Sequence, residues 1–132
     1  MEKAIEYFGP ERPLGAAELL ALVTRVWPGQ YDEGLVERAL AVTSNFTAWH
    51  AGRLVGCARL LSDGYLFSTV PEILVDPDYR RMGVGVELMR MLWEASPTSL
   101  GFGVQPGNEA FFEALGFETG MAFYHRRKPR PA

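Results

Sequence analysis

Apolar positions along the 132-residue chain follow two periods, and the change between them divides it. Leu19, Leu22, Val23 and Val26 fall at helical spacing within Leu14–Trp27, and Pro28-Gly29 stops that run. Leu35, Ala39 and Val42 form a second stripe within Glu33–Ser44. From there the period shortens. Asn45–His50 and Leu54–Leu61 read as strands about the turn Ala51-Gly52-Arg53, and Ser62-Asp63-Gly64 supplies the next turn. Tyr65–Thr69 continues the meander, and Glu72–Val75 is a short apolar strand. Pro71 has no ladder donor, so it is expected at a strand start or a bulge.

Helical spacing returns at Val84–Ala95, with Val84, Leu88, Met91, Leu92 and Ala95 inward and Glu87, Arg90 and Glu94 outward. Ser96-Pro97 ends it. Ser99–Val104 reads as a strand, Asn108–Leu115 as a short helix capped by Gly116, and Glu118–His125 as a closing strand. A meander followed by alternating strands and helices implies both antiparallel and parallel pairing, hence a mixed α/β sheet. No linker or internal repeat interrupts residues 1–132, which are expected to form one domain.

Composition narrows the class. The chain is 48% hydrophobic and 22% charged, as in a soluble globular protein, and its net charge of −3 argues against general nucleic-acid binding. The basic run His125-Arg126-Arg127-Lys128-Pro129-Arg130 reads as a solvated tail. No apolar run approaches the ~20 residues that span a bilayer, and the N-terminus lacks a signal-peptide core. One cysteine and two histidines exclude an internal disulfide and make a protein-built metal site an unfavoured reading. Cys57, in a strand pattern, reads as a small buried hydrophobe, and a reducing cytoplasm is the expected location.

The candidate chemistry lies in Ile73-Leu74-Val75-Asp76-Pro77-Asp78-Tyr79-Arg80-Arg81-Met82-Gly83-Val84-Gly85-Val86. A buried strand there runs into a basic, glycine-bearing turn and then a helix N-terminus. Free backbone N–H groups, the helix dipole and two guanidinium groups together suit a di- or pyrophosphate. Gly83-x-Gly85-x-x-Leu88 is a broken dinucleotide fingerprint, since leucine replaces its third glycine, and no Gly-Lys-Ser/Thr loop exists. The remaining pattern, Val75-x-Pro77 followed by Arg80-x-x-Gly83-x-Gly85, resembles the pyrophosphate loop of the GCN5-related N-acetyltransferases (GNAT). A second segment, Val104-x-Pro106-Gly107-Asn108-Glu109-Ala110-Phe111-Phe112-Glu113-Ala114-Leu115-Gly116-Phe117, is similar to that family's other cofactor segment.

The resemblance implies a single mixed-sheet domain of GNAT type, with helices on both faces and splayed parallel strands forming an acyl-coenzyme A cleft. It also implies acetyl-coenzyme A (CoA) as cofactor and an amine of a small molecule or protein as acceptor. Many relatives form homodimers through their C-terminal strands, so a homodimer is an assembly it leaves open. Carried over by position, backbone groups of Leu74 and Val75 hold the pantetheine arm. N–H groups of Arg81, Met82, Gly83, Val84, Gly85 and Val86 hold the pyrophosphate, with Arg80 beside it. Asn108 offers an amide or serves as a helix N-cap, and Phe112 lines the cofactor.

Acetyl transfer to an amine needs a base, because an alkylammonium of pKa about 10 has no free lone pair. Glu72 is the candidate, on the same strand face as Leu74. The Val75 N–H is the candidate donor to the carbonyl oxygen. The family often places a tyrosine before Leu-Gly-Phe to protonate the leaving thiolate, but this chain has Phe112. Tyr124, Tyr79 or water are the substitutes, and a thiol of pKa about 8.5 leaves without obligatory assistance. Phe112 therefore keeps a noncatalytic acyl-CoA-binding or regulatory module open as the alternative. His50, His125, Trp27, Trp49 and Trp93 are expected to be structural or solvated.

Overall fold

The computed structural model describes residues 4–129. Four antiparallel strands, β1 (Glu6–Phe8), β2 (Ser44–His50), β3 (Arg53–Ser62) and β4 (Ser68–Val75), lie in the order β1-β2-β3-β4. Helices α1 (Ala16–Val26) and α2 (Glu33–Ala41) precede β2; α3 (Val84–Ala95) and α4 (Glu109–Ala114) follow β4. The sequence pattern located both N-terminal helices, β2, β3, α3 and α4 within a few residues. It passed over β1, whose three residues are too few to show alternation.

Helices cover both faces of the sheet. On one face, Leu19, Leu22 and Val23 of α1 and Leu40 of α2 pack on Trp49, Leu54, Cys57 and Leu74. On the other, Val84, Leu88 and Leu92 of α3 pack on Phe46, Ala48, Val55, Ala58 and Leu60. Leu54 and Cys57 share a face although three residues apart. A register shift at Ala48/Trp49 leaves Val55 without an opposite residue and flips the alternation there. Pro71 falls where Arg59 pairs Glu72 but Leu61 pairs Thr69, so β4 carries one extra residue, the bulge that its missing donor calls for.

The α2 stripe differs from expectation. Val36 and Leu40 face the core, whereas Val42 lies beyond the helix end and is 70% exposed. The helix stops at Ala41, so the turn that would bring Val42 round to Leu35 and Ala39 is never made.

Two expected strands are not formed. Ser99–Val104 makes one parallel bridge, Ser68 with Leu100, through Gly101 N–H donating to Ser68 O at 3.0 Å. The expected pair of splayed parallel strands thus reduces to a single point of pairing, beyond which residues 101–105 leave β4. Gly101 and Gly103 weaken strand preference in this stretch. Glu118–His125 is irregular for a connected reason: with no regular strand beside β4 to extend, it has no ladder to join. Met121, Phe123 and Tyr124 on it are 94%, 70% and 90% exposed, so it adds little to the core.

Candidate active site

The free edge of β4 sets the geometry of the site. Asp76 N–H donates to Val55 O at 2.8 Å. Backbone direction alternates along a strand, so Leu74 faces β3, paired with Cys57, whereas Ile73 and Val75 turn their backbone groups toward the open edge. The expected pair of edge residues, Leu74 and Val75, is therefore corrected to Ile73 and Val75. Leu74 contributes a side chain instead: it is 2% exposed and lies on the wall of the site.

Val75 leads directly into the loop. Asp76 Oδ1 accepts from Asp78 N–H at 2.9 Å, which starts a 3-10 turn at Pro77–Tyr79. Arg81 (φ 63°) and Gly83 (φ 79°) then lie in the left-handed region two residues apart. Backbone of this kind turns successive N–H groups toward one concavity. Gly83 is the N-cap of α3, and no side chain caps that helix. Its first-turn donors are thus left for an anion, with Arg80 and Arg81 beside them.

A cleft of about 630 Å³ joins these features. Its wall comprises Ile73, Leu74 and Val75 of β4, Tyr79 to Arg81 of the loop, Gly83 to Val86 of the α3 start, and Asn108, Phe111 and Phe112 around α4. Val26 and Trp27 close it from the end of α1. Gly85 is where three elements converge: a Cβ there would stand 3.2 Å from Phe111 Cζ and 3.7 Å from Val75 Cγ2.

Of the expected site residues, Leu74, Val75, Arg80, Arg81, Gly83, Val84, Gly85, Val86, Asn108 and Phe112 all line this cleft. Met82, within the loop, does not line it. Asn108 occupies the N-cap position of α4 but makes no side-chain cap bond. Phe112 is nearly buried among rings, with centroids 4.9 Å from Phe111 and 5.1 Å from Phe102. Tyr124, expected on a closing strand near the cleft, lies instead on the irregular C-terminal segment and does not line the cleft. Tyr79 does line it, and its hydroxyl lies 2.5 Å from His50 Nδ1. His50 is accordingly a structural partner of the loop.

Glu72 lies on the α1 face of β4, outside the cleft wall. Arg59 Nε donates to Glu72 Oε1 at 2.8 Å, and Arg59 Nη1 reaches Thr43 Oγ1 at 3.4 Å. The carboxylate side chain keeps 22% of its surface exposed. Cys57, on the same face, is fully buried, and burial with the neighbouring Glu72 charge pushes its thiol up to about 12. That favours the structural reading over a nucleophile.

Trp27 was expected in the core, yet it is 48% exposed and forms the α1 side of the cleft. Tyr31 Oη donates to Trp27 O at 2.6 Å and steadies the turn that carries it. Its apolar neighbours Leu22, Val23 and Val26 concealed this from the helical pattern; the Pro28-Gly29 stop directly after it was the available signal. Trp93 also leaves the core, at 51% exposure, whereas Trp49 is buried as expected.

An antiparallel sheet whose open edge runs into a phosphate-suited loop and an uncapped helix start defines an anion-binding cleft, and comparison with known proteins gives the family. The acetyltransferase (GNAT) domain family matches residues 41–119. The chain belongs to this family. A Porphyra purpurea protein named as an uncharacterised N-acetyltransferase is 30% identical over 84 residues, covering 56% of this chain and 48% of its own length. The chain thus spans about half the length of the curated relatives it matches. A GNAT-family acetyltransferase structure from Streptococcus pneumoniae is 29% identical, with a TM-score of 0.71, covering 94% of this chain and 100% of that one. An aminoglycoside N-acetyltransferase solved in complex with coenzyme A shares the fold at 18% identity, with a TM-score of 0.72 and 97% coverage of each chain.

Proposed function

We propose that the protein is an acetyl-coenzyme A-dependent N-acetyltransferase acting on a primary amine of a small molecule or protein. The observation that carries this is the continuity of one cleft from the outward-facing Val75 backbone, past Arg80 and Arg81, to the uncapped start of α3. The donor set suits acetyl-coenzyme A along its length. Outward backbone groups of Ile73 and Val75 match an amide-bearing arm by strand addition, and the Gly83–Val86 N–H groups match a pyrophosphate. Family membership and the coenzyme A complex of the structural neighbour support the same ligand.

The cofactor supplies an activated acyl group; the remaining work falls to the chain. Arg80 and Arg81 neutralise phosphate charge, and the Asn108 amide is free of a cap bond to meet the arm. Val75 N–H donates toward the acyl oxygen, where charge develops during transfer. Glu72 takes the ammonium proton through water, because it shares a strand face with Leu74 of the cleft wall but does not itself line the cleft. Phe112 excludes water and supplies no proton, so the sulfur leaves as thiolate. The buried lone thiol of Cys57 accords with the reducing cytoplasm as location. Among the described residues no helix is long and apolar enough to cross a membrane.

A noncatalytic acyl-coenzyme A binder is the second reading, favoured by the pairing of Glu72 with Arg59 and by the missing hydroxyl at Phe112. The deciding experiment is a thermal-shift titration with acetyl-coenzyme A, free coenzyme A, NAD and ATP, followed by an amine screen. A ligand at 100 times its dissociation constant adds about 2.7 kcal/mol, several degrees for a domain of this size. A shift selective for the two coenzyme A species, with acetyl transfer in the screen, is expected. No shift at millimolar concentration removes both readings; a shift without transfer to any amine selects the binder.

A further inference from the structure

We infer that Asp76 is a positioning residue that ties the α1 wall of the cleft to the phosphate loop, making coenzyme A affinity depend on Arg25. The inference rests on the acetyltransferase reading above.

Asp76 stands between the strand edge at Val75 and the turn that leads to Arg80, and it is 1% exposed. Its Oδ2 accepts from Arg25 Nε at 2.8 Å and from Arg53 Nη2 at 3.1 Å. Its Oδ1 holds Asp78 N–H, and its main-chain oxygen accepts from Tyr79 N–H at 2.8 Å. Arg25 uses the rest of its fork on backbone: Nη2 donates to Leu54 O at 2.7 Å and Nη1 to Ala21 O at 3.1 Å. One carboxylate thus holds the last turn of α1, the start of β3 and the entry to the phosphate loop.

The arrangement has a geometric consequence. Leu19, Leu22 and Val23 hold α1 on the sheet by apolar contacts, which are non-directional and tolerate sliding. The Arg25–Asp76 pair adds direction, because a guanidinium fork accepts its partners in one orientation. Val26 and Trp27, the next two residues, form the α1 side of the cleft. Arg25 itself does not line the cleft, so it acts on the ligand only through this placement.

The test is the dissociation constant for coenzyme A, measured by calorimetry well below the melting temperature of each protein. Arg25→Lys keeps the charge but not the fork, and affinity is expected to fall about tenfold, as displacement of a supporting group does. Arg38→Lys, on α2, is the control and is expected to bind as wild type does. A role confined to folding would lower the melting temperature and leave affinity unchanged; that outcome overturns the inference. If Arg25→Lys does not fold, Arg53→Gln replaces it, since Arg53 is half exposed and contributes one bond. A few-fold loss in Arg53→Gln supports the clamp, and unchanged affinity overturns it. Absence of coenzyme A binding by the wild-type protein instead overturns the acetyltransferase reading, and the clamp with it.

Discussion

Gly56 of β3 lies directly beneath Val84, the first residue of α3: a Cβ at Gly56 would stand 2.8 Å from Val84 Cγ1. It would also lie 3.1 Å from Leu88 Cδ1. The absent side chain lets the helix that opens the phosphate loop sit close on the sheet. Gly56→Val is expected to cost about 1–3 kcal/mol by overpacking and to displace the loop. Urea unfolding reads the first effect. A coenzyme A titration on the folded variant reads the second, and unchanged affinity there would uncouple helix seating from binding.

Gly83 has room for a side chain but not the backbone conformation for one. Nothing lies within 4 Å of its Cβ position, yet its φ of 79° is left-handed. Gly83→Ala is expected to cost about 1–2 kcal/mol of stability through that strain. Gly83→Glu adds bulk and negative charge where phosphate is proposed to sit, and is expected to abolish coenzyme A binding while the protein stays folded. Circular dichroism with calorimetry checks both; retained binding would remove the loop from the mechanism.

Glu72→Gln is expected to lower turnover at neutral pH and leave acetyl-coenzyme A affinity nearly unchanged, since Glu72 lies outside the cleft wall. Arg59, with only 13% of its side chain exposed, loses its ion partner in that variant. About 1–3 kcal/mol of stability should go with it, so melting must be followed beside kinetics. Full activity across the pH range would assign the base elsewhere.

Cys57 gives a pH signature of folding. Its thiol rises from an ordinary 9.0 to about 12 in the folded chain, because burial and then the Glu72 charge disfavour the thiolate. A group raised on folding contributes stability that is complete below its unfolded value and lost as pH climbs to the folded one. The wild-type protein is therefore expected to lose stability between pH 9 and about 12 more steeply than Cys57→Ala. Thiol reagents at pH 8 should label Cys57 only after denaturation. Rapid labelling of the native protein would contradict its burial.

Legibility in the sequence followed the range of the forces involved. The α3 stripe was legible at Val84, Leu88, Met91 and Leu92, whereas Ala95, expected inward, is exposed at the helix end and Met89 is buried in its place. Arg90 pairs with Glu87 and Glu94 on the surface. The loop was equally plain, because glycines, arginines and a following helix are contiguous. Trp27 was not, since an aromatic residue at a helix end looks the same whether it faces the core or a cleft. Ser99–Val104 alternates like a strand, but it meets the edge of β4 only at Ser68 before diverging, and Glu118–His125 is then left without a regular ladder to join.

The sequence by itself determined the helices, the central meander, the phosphate-suited loop and the family, since periodicity, turn chemistry and contiguous motifs are local properties of the chain. Tertiary structure decided the rest. The turn of Ile73 and Val75 toward the open edge depends on register with β3, which one residue of slip would reverse. The exposure of Trp27 to the cleft, the engagement of Glu72 by Arg59 and the Arg25–Asp76 clamp each join residues distant in sequence. Such pairings arise only when packing brings separate elements together, and no local pattern records them.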